Sequence, residues 1–510
     1  MIEGILIGLT TVLDPTNLLM VFVGVFAGTF IGMLPGLGPI SAIALMIPIT
    51  YGFDPATGMI LMAGVYYGAV FGGSTSSILI NAPGIAGTVA TAFDGYPLAK
   101  KGQAGKALAI AAYASFSGGT IAAVFLLLMA PALASVALSF QSSEYFALMV
   151  LGLTAVAAFA GRGSFLKAMM MTVFGLMLAT VGSDPVDGMP RFTFGQIDLL
   201  DGISFLLLAM ATFALSEALM TVLKREQIAD AARAATSGKM GSLKLSAGEV
   251  REIAPAIGRS SVLGFFIGVL PGAGATIASF LGYGMERNFA RGKKRDEFGH
   301  GSLRGLAAPE AANNAAASGS FVPLLTLGIP GSGTTAVMLG ALISYGVNPG
   351  PTLFTERPEV FWSVIISMYI GNIVLLVLNL PLIPYIARLL TLPSHLLVPL
   401  VLFFSLIGVY LVSFNPFDIF MMVGVAGVAI VLRLFGYPMA PMILGFILGD
   451  LMERNLRRAM AINDGSISFL WERPLTLAIL IVTVVVLALP LAGYLRRIRR
   501  PATATAGEGG

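Results

Sequence analysis

The chain has 510 residues, 56% hydrophobic and 11% charged, with a mean hydropathy of +0.89; soluble domains carry about 25% charged residues, so a soluble fold is excluded and a polytopic membrane protein is expected. The net charge of +4 does not indicate a nucleic-acid partner, because Lys and Arg lie in short loops between apolar runs, as positive-inside bias produces. With no Cys, disulfides and thiolate metal sites are absent.

The first basic residue is Lys100, so the N-terminus lacks the charged region of a secretory signal and no cleaved leader is expected. Residues 1–17, with Glu3, Asp14 and Pro15, are expected to form an interfacial segment. Apolar runs of bilayer length, roughly 17 to 25 residues, follow near residues 18–34, 58–80, 107–129, 145–160, 165–181, 199–223, 360–382 and 475–495. With shorter and broken runs they predict an all-α protein of about ten to twelve spans plus re-entrant pieces.

Gly32-Met33-Leu34-Pro35-Gly36-Leu37-Gly38 interrupts the first run. Pro removes a backbone donor and Gly removes helix preference, so this LPGLG should break a helix at membrane depth. The next run leads into Ser74-Thr75-Ser76-Ser77 and Asn81-Ala82-Pro83-Gly84, with Thr88 beyond. Such polarity at span depth implies a cavity lined by protein or water. Loops then alternate in charge: Lys100 to Lys106 is basic, residues 131–143 carry no basic residue, Arg162 and Lys167 are basic, and residues 183–198 set Arg191 against three Asp. Each intervening segment should cross once.

LPGxG returns as Gly268-Val269-Leu270-Pro271-Gly272-Ala273-Gly274, at an offset of 236 (268 minus 32). Basic loops flank this copy on both sides, with Arg251 and Arg259 before it and Arg287 to Arg304 after it. A re-entrant hairpin with LPGAG at its tip keeps both loops on one side. The first copy has no flanking basic residue and is expected to dip from the other side, which predicts inverted repeats. Gly328-Ile329-Pro330-Gly331 and Thr335 repeat NAPG and Thr88 at an offset of 247 (330 minus 83). The expected organisation is a first membrane repeat at 18–223, a basic cytoplasmic loop at 224–259, a second repeat at 260–450, a C-terminal loop and last span at 451–500, and a disordered tail at 501–510. Orientation around Arg454, Arg457, Arg458 and Arg473 stays open, because residues 496–500 are equally basic one span later; either one basic loop is outside or a re-entrant piece lies between residues 419 and 449.

With almost no Lys, Arg or His in the spans, an anion at mid-membrane would rely on helix N-termini, backbone amides and hydroxyls, which broken helices supply. Candidate substrate-binding residues are therefore Gly36, Gly38, Ser41, Ser74, Ser76, Asn81, Gly84, Gly272, Gly274, Thr276, Gly331, Ser332, Thr334 and Thr335. If residues 310–317 are helical, Glu310, Asn313 and Asn314 share one oxygen-rich face. These three and Thr88 are the candidate Na+ ligands, with Glu310 also readable as a solvated residue at an interface. The chain lacks HExxH, GxSxG and GxxxxGK[ST], which argues against a zinc protease, a serine hydrolase and an intrinsic ATPase. A channel remains the alternative to a carrier.

FIGMLPGLGP, NAPGIAGT, DGYPLAKKGQAGKALAIA, GVLPGAGA, APEAANNAAASGSFVPLLTLGIPGSGTTA and LGDLMERNLRRAM together resemble the large membrane subunit of tripartite tricarboxylate transporters, the TctA family. The resemblance runs from about Leu18 to Met460. It implies a multi-pass permease of the bacterial inner membrane with no cofactor, working with a small TctB-like membrane subunit and a periplasmic TctC-like solute-binding protein. It further implies uptake of citrate or another carboxylate coupled to Na+ or H+. Importing a trivalent anion against 100 mV costs about 7 kcal/mol, which co-transported cations must offset.

Overall fold

The computed structural model describes residues 1–34, 37–158, 165–184, 186–223, 241–386 and 394–498. The protein is all-α, with one two-residue strand pair among the described residues, Gly182–Ser183 (β1) with Pro190–Arg191 (β2). In the first half, α1 (Ile2–Val12), α2 (Pro15–Met33), α3 (Pro39–Thr50), α4 (Pro55–Ile80), α5 (Val89–Leu98), α6 (Ala104–Ala137), α7 (Ser142–Ala158) and α8 (Phe165–Ala179) precede the strands. Helices α9 (Phe205–Ala209) and α10 (Ser216–Leu223) follow them. The second half holds α11 (Ala247–Val269), α12 (Gly274–Phe289), α13 (Leu303–Gly319), α14 (Phe321–Leu327), α15 (Gly333–Ser344), α16 (Pro358–Asn379), α17 (Ser394–Ser413), α18 (Pro416–Leu434) and α19 (Met439–Ile462). Helix α20 (Pro474–Ile498) comes last. Among the described residues, six helical stretches are long and apolar enough to cross a membrane, and shorter apolar helices accompany them.

Two Asp-Pro pairs start α2 and α4: Asp14 and Asp54 accept from the amides of Thr16 and Ala56, and proline takes the first helical position of each, where its missing N–H is not needed. Near these starts, Thr57 Oγ1 donates to Asn17 Oδ1 at 2.6 Å. Farther along, a Cβ on Gly28 or Gly32 would lie 2.3 or 2.2 Å from the carbonyl oxygen of Val65 or Ala69. Contacts therefore advance together along α2 and α4, and the two run parallel. The chain must return in between, so α2 and α3 form a helical hairpin, with Leu34 at the end of one arm and Gly38 at the start of the other. The second copy does the same: Arg259 on α11 and Glu286 on α12 form an ion pair at 2.7 Å, which clasps the two arms.

The duplication holds contact by contact. Gly264 meets the carbonyl of Ala312 and Gly268 that of Ala316, at 2.3 and 2.2 Å from an added Cβ. Adding 236 to the α2 residues and 247 to the α4 residues converts the first set of contacts into the second. The repeats point in opposite directions. Helix α5 ends, and α11 and α13 begin, on one basic face. There Lys106 pairs with Glu249 at 2.6 Å, Lys294 with Glu252 at 3.3 Å, and the amides of Gly299, Gly301 and Ser302 donate to Asp94 Oδ1 at 2.8 to 2.9 Å.

Several boundaries differ from expectation. Residues 247–259, expected in the loop 224–259, are the first arm of the second hairpin, because Ser246 and Glu249 form a capping box that starts α11. Residues 451–462, expected as loop, continue α19, and helix α2 begins before residue 18, at Pro15. Helix α1 packs Gly4 and Gly8 against Trp362 and Ile366 of α16. The segment 416–462 forms two ordinary helices rather than a re-entrant piece. Arg454, Arg457 and, beyond the segment, Arg473 lie on the face opposite the basic one and are paired there: Arg457 with Asp184 and Glu453 at 2.9 and 2.7 Å, Arg454 with Asp450 at 2.9 Å and Arg473 with Glu144 at 2.8 Å. The tail 501–510, residues 224–240, Arg162 and Gly36 lie outside the described residues.

Candidate functional site

The second hairpin tip is tied to the second helix break. Gly272 sits at φ +80°, where its N–H donates to Gly331 O at 3.0 Å. Gly274, at φ +60°, opens α12 with its Cβ position 3.9 Å from Ser332 Cβ. Ser332 caps α15: its Oγ accepts from Thr335 N at 3.2 Å, and Thr335 Oγ1 accepts from Ser332 N at 2.8 Å. A Cβ on Gly333 would meet Ile40 of α3 at 3.1 Å. The N-termini of α3, α12 and α15 therefore meet at one junction. Each carries about half a positive charge, and each leaves amides that can receive an anion. Tyr66 of α4 adds a hydroxyl 3.3 Å from Ser332 Oγ and 3.4 Å from Ser320 Oγ. None of the residues named at this junction is basic.

The first break mirrors the second. Asn81 ends α4 in the left-handed region at φ 52°, as Gly328 ends α14 at φ 67°. The two stand 247 apart (328 minus 81). Gly84 leaves no space for a side chain, since a Cβ would lie 1.9 Å from Gly32 O. Beside it, Ser77 Oγ donates to Thr88 Oγ1 at 2.8 Å, and Thr88 reaches the carbonyls of Gly73 and Ile85 at 3.1 and 3.0 Å. Glu310 of α13 enters this region from the other repeat. Its Oε2 accepts from Ser74 of α4 at 2.6 Å and from Ser115 of α6 at 2.8 Å, and its Oε1 accepts from Thr91 of α5.

The expected residues thus divide. Gly38, Gly274, Ser332, Thr334 and Thr335 gather at the three-helix junction, with Ser41 buried one turn into α3 and Thr276 half-buried in the first turn of α12. The Gly272 amide is already committed to Gly331, the Ser76 hydroxyl to Gly73 O in its own helix at 3.2 Å, and Asn81 is an exposed helix terminator. Glu310, expected either as an ion ligand or at a solvated interface, is 0% exposed, which corrects the interface reading. Asn314 shares its burial but spends its amide on Glu310 O at 3.0 Å. Asn313 is buried with neither amide atom partnered, and its Oδ1 lies 2.8 Å from where a Cβ on Gly87 would stand.

Sequence reasoning missed Tyr66, Thr91 and Ser115. Tyr66 was reachable, because subtracting the 247 offset from Asn313 lands on it; both residues face the start of a helix in the opposite repeat. Thr91 and Ser115 carry no local signal. On the face opposite the basic one, a cavity of about 410 Å³ reaches the second break at Gly328, lined also by Gln141, Ser142, Asn455 and Arg458.

Comparison with known proteins places these features. The family described as the tripartite tricarboxylate transporter TctA family matches residues 18–444. An uncharacterized 52.8 kDa protein in the TAR-I ttuC' 3'region of Agrobacterium vitis is 44% identical over 499 residues, covering 98% of each chain. A second Agrobacterium vitis protein, uncharacterized and in the TAR-II ttuC' 3'region, is 44% identical over 236 residues, 46% of this chain and 97% of its own. No solved structure matches.

Proposed function

Because the chain belongs to the tripartite tricarboxylate transporter TctA family, we propose that it is the permease subunit of a secondary transporter importing citrate or a related carboxylate, driven by Na+ or H+. It works with a small membrane subunit and a periplasmic solute-binding protein in the bacterial inner membrane, its basic face toward the cytoplasm. The observation that carries the reading is the meeting of three helix N-termini, from α3, α12 and α15, at a junction of hydroxyls without basic residues. Such a junction attracts a carboxylate through amides and helix dipoles while holding no fixed cation that would have to be neutralised during return.

Two hairpins entering from opposite faces suit alternating access. Their return arms, α3 and α12, have 12 and 16 residues, about 18 and 24 Å at 1.5 Å per residue, so each tip lies deep inside a hydrocarbon core of about 30 Å. The cavity reaching Gly328 is the outer approach, where the binding protein delivers its carboxylate. Moving a multiply charged anion inward against the membrane potential requires cation entry.

Competition among labelled carboxylates for uptake, with the cognate binding protein and small subunit present, tests this. One carboxylate should dominate and accumulate only under an ion gradient. Uptake that persists after both sodium and proton gradients are collapsed would defeat the reading.

A further inference from the structure

Resting on that reading, we infer that Glu310 is a proton-carrying site at the seam between the two repeats, and that a proton is the cation this permease moves with its carboxylate. The carboxyl is 0% exposed and lies in a cage of three hydroxyls from three different helices, Ser74 of α4, Thr91 of α5 and Ser115 of α6, which are themselves 3%, 0% and 1% exposed. Every cage member comes from the first repeat and the carboxyl from the second. The site therefore senses how the repeats sit against each other.

The cage suits a proton rather than a metal ion. Ser74 and Ser115 contact Oε2 directly at 2.6 and 2.8 Å, which leaves no gap between the oxygens for a metal to occupy. A hydroxyl both donates and accepts. Three hydroxyls satisfy a carboxylate by donating, and when the carboxyl is protonated one of them turns to accept, so both states are served without moving the backbone. Among the described residues no cation pairs with the group: the other ionisable residues on the caging helices are Tyr66 and Tyr67 on α4, Asp94 and Tyr96 on α5, and Lys106 and Tyr113 on α6, with Arg304 on α13 itself. Of these, Lys106 is paired with Glu249, Asp94 accepts from backbone amides, and Arg304 donates to Glu252 O. An unpaired charge in a membrane interior is strongly disfavoured, whereas a proton removes it.

A second, independent observation links the site to a ligand. Asn313 lies one helical turn from Glu310, fully buried with both amide atoms unpartnered, against Gly87 at the first helix break. An amide offers a donor to a carboxylate and an acceptor to a hydroxyl, so a hydroxylated carboxylate that moves inward from the three-helix junction, two helical turns further along the chain at Ser320, satisfies both atoms as it passes Asn313. Bound there, the anion stands beside Glu310 and is repelled by it unless the carboxyl is protonated. Proton and substrate thus favour each other, as symport requires. The arrangement occurs once: at the 247 offset Glu310 becomes Ala63 and Ser74 becomes Phe321, so duplication supplied the frame twice and the carboxyl once.

The test uses the full transporter in sodium-free proteoliposomes, with citrate as probe and a pH dye inside. Wild type should acidify the lumen as citrate enters. Glu310→Gln, which keeps shape and hydrogen bonding, should retain citrate exchange across the membrane and lose accumulation driven by a proton gradient. Independently of transport, infrared difference spectra of the solubilised protein between acid and alkaline pH should contain one carboxyl carbonyl band in wild type that is missing in Glu310→Gln, isolated by subtracting the variant's difference spectrum from that of wild type. Proton-driven accumulation by Glu310→Gln, an unchanged infrared band, or citrate entry without proton entry in wild type each overturns the inference. Absence of any carboxylate uptake by wild type, with the Glu310 band present, would instead refute the transport reading.

Discussion

At the residue scale, the two helix breaks are built from glycines and hydroxyls rather than charged side chains. Gly84 is required by contact, so Gly84→Ala should destabilise the protein by about 1–3 kcal/mol through overpacking, read as a lower unfolding temperature in detergent. Gly38 has open space at its Cβ position and an ordinary φ of −76°, so Gly38→Ala should change stability by less than about 0.5 kcal/mol. A loss of the same size in both variants would remove the distinction between packed and uncrowded glycines. Tyr66→Phe removes one hydroxyl from the three-helix junction; the carboxylate concentration giving half-maximal uptake should rise about 2- to 10-fold with the fold intact, and unchanged uptake kinetics would take Tyr66 out of the site. The motifs pointed to the breaks because Pro and Gly announce themselves in an apolar run. Which groups stay free there was not legible, since the engagement of Gly272 with Gly331 depends on where the chain folds back.

At the element scale, the hairpins carry the architecture, and only the second is clasped by charge. Glu286 is 0% exposed while Arg259 is 41% exposed at its side chain, so the carboxylate depends on the pair more than the guanidinium does. Arg259→Leu should cost about 1–3 kcal/mol by leaving a buried acceptor unmet, and Arg259→Leu with Glu286→Leu should recover most of it; no recovery in the double variant would show that the arms are held by something else. On the basic face, the hydrogen bond from Lys106 to Glu249, aided by the Ser246 amide, holds that carboxyl down at about 2. A depressed carboxylate stabilises the fold fully above its unfolded value of about 4.3, and the contribution is lost as pH falls toward 2. Lys106→Ala should therefore narrow the acid limb of the stability profile by at most about 1 kcal/mol, as expected of a partly exposed pair. An identical acid limb in the variant would show that Lys106 contributes nothing.

At the scale of the whole molecule, two inverted repeats give a basic face and an opposite face on which Arg454, Arg457 and Arg473 are paired with carboxylates. The chain has no cysteine, so single cysteines report orientation cleanly. In intact cells an impermeant maleimide should label Asp464→Cys and spare Lys294→Cys; the reverse pattern would invert the proposed orientation. The sequence by itself determined the membrane class, the helix breaks, the duplication and the sign change between its copies, because hydropathy, Pro-Gly punctuation and loop charge are local properties of the chain. It could not place Arg454, Arg457 and Arg473, since pairing with Asp184, Glu453, Asp450 and Glu144 cancels the charge that a loop count relies on. Nor could it show that Glu310 meets Ser74, Thr91 and Ser115, which stand 195 to 236 residues away. Only the tertiary structure decided that, because a buried carboxyl is defined by what surrounds it, and its surroundings here come from the opposite repeat.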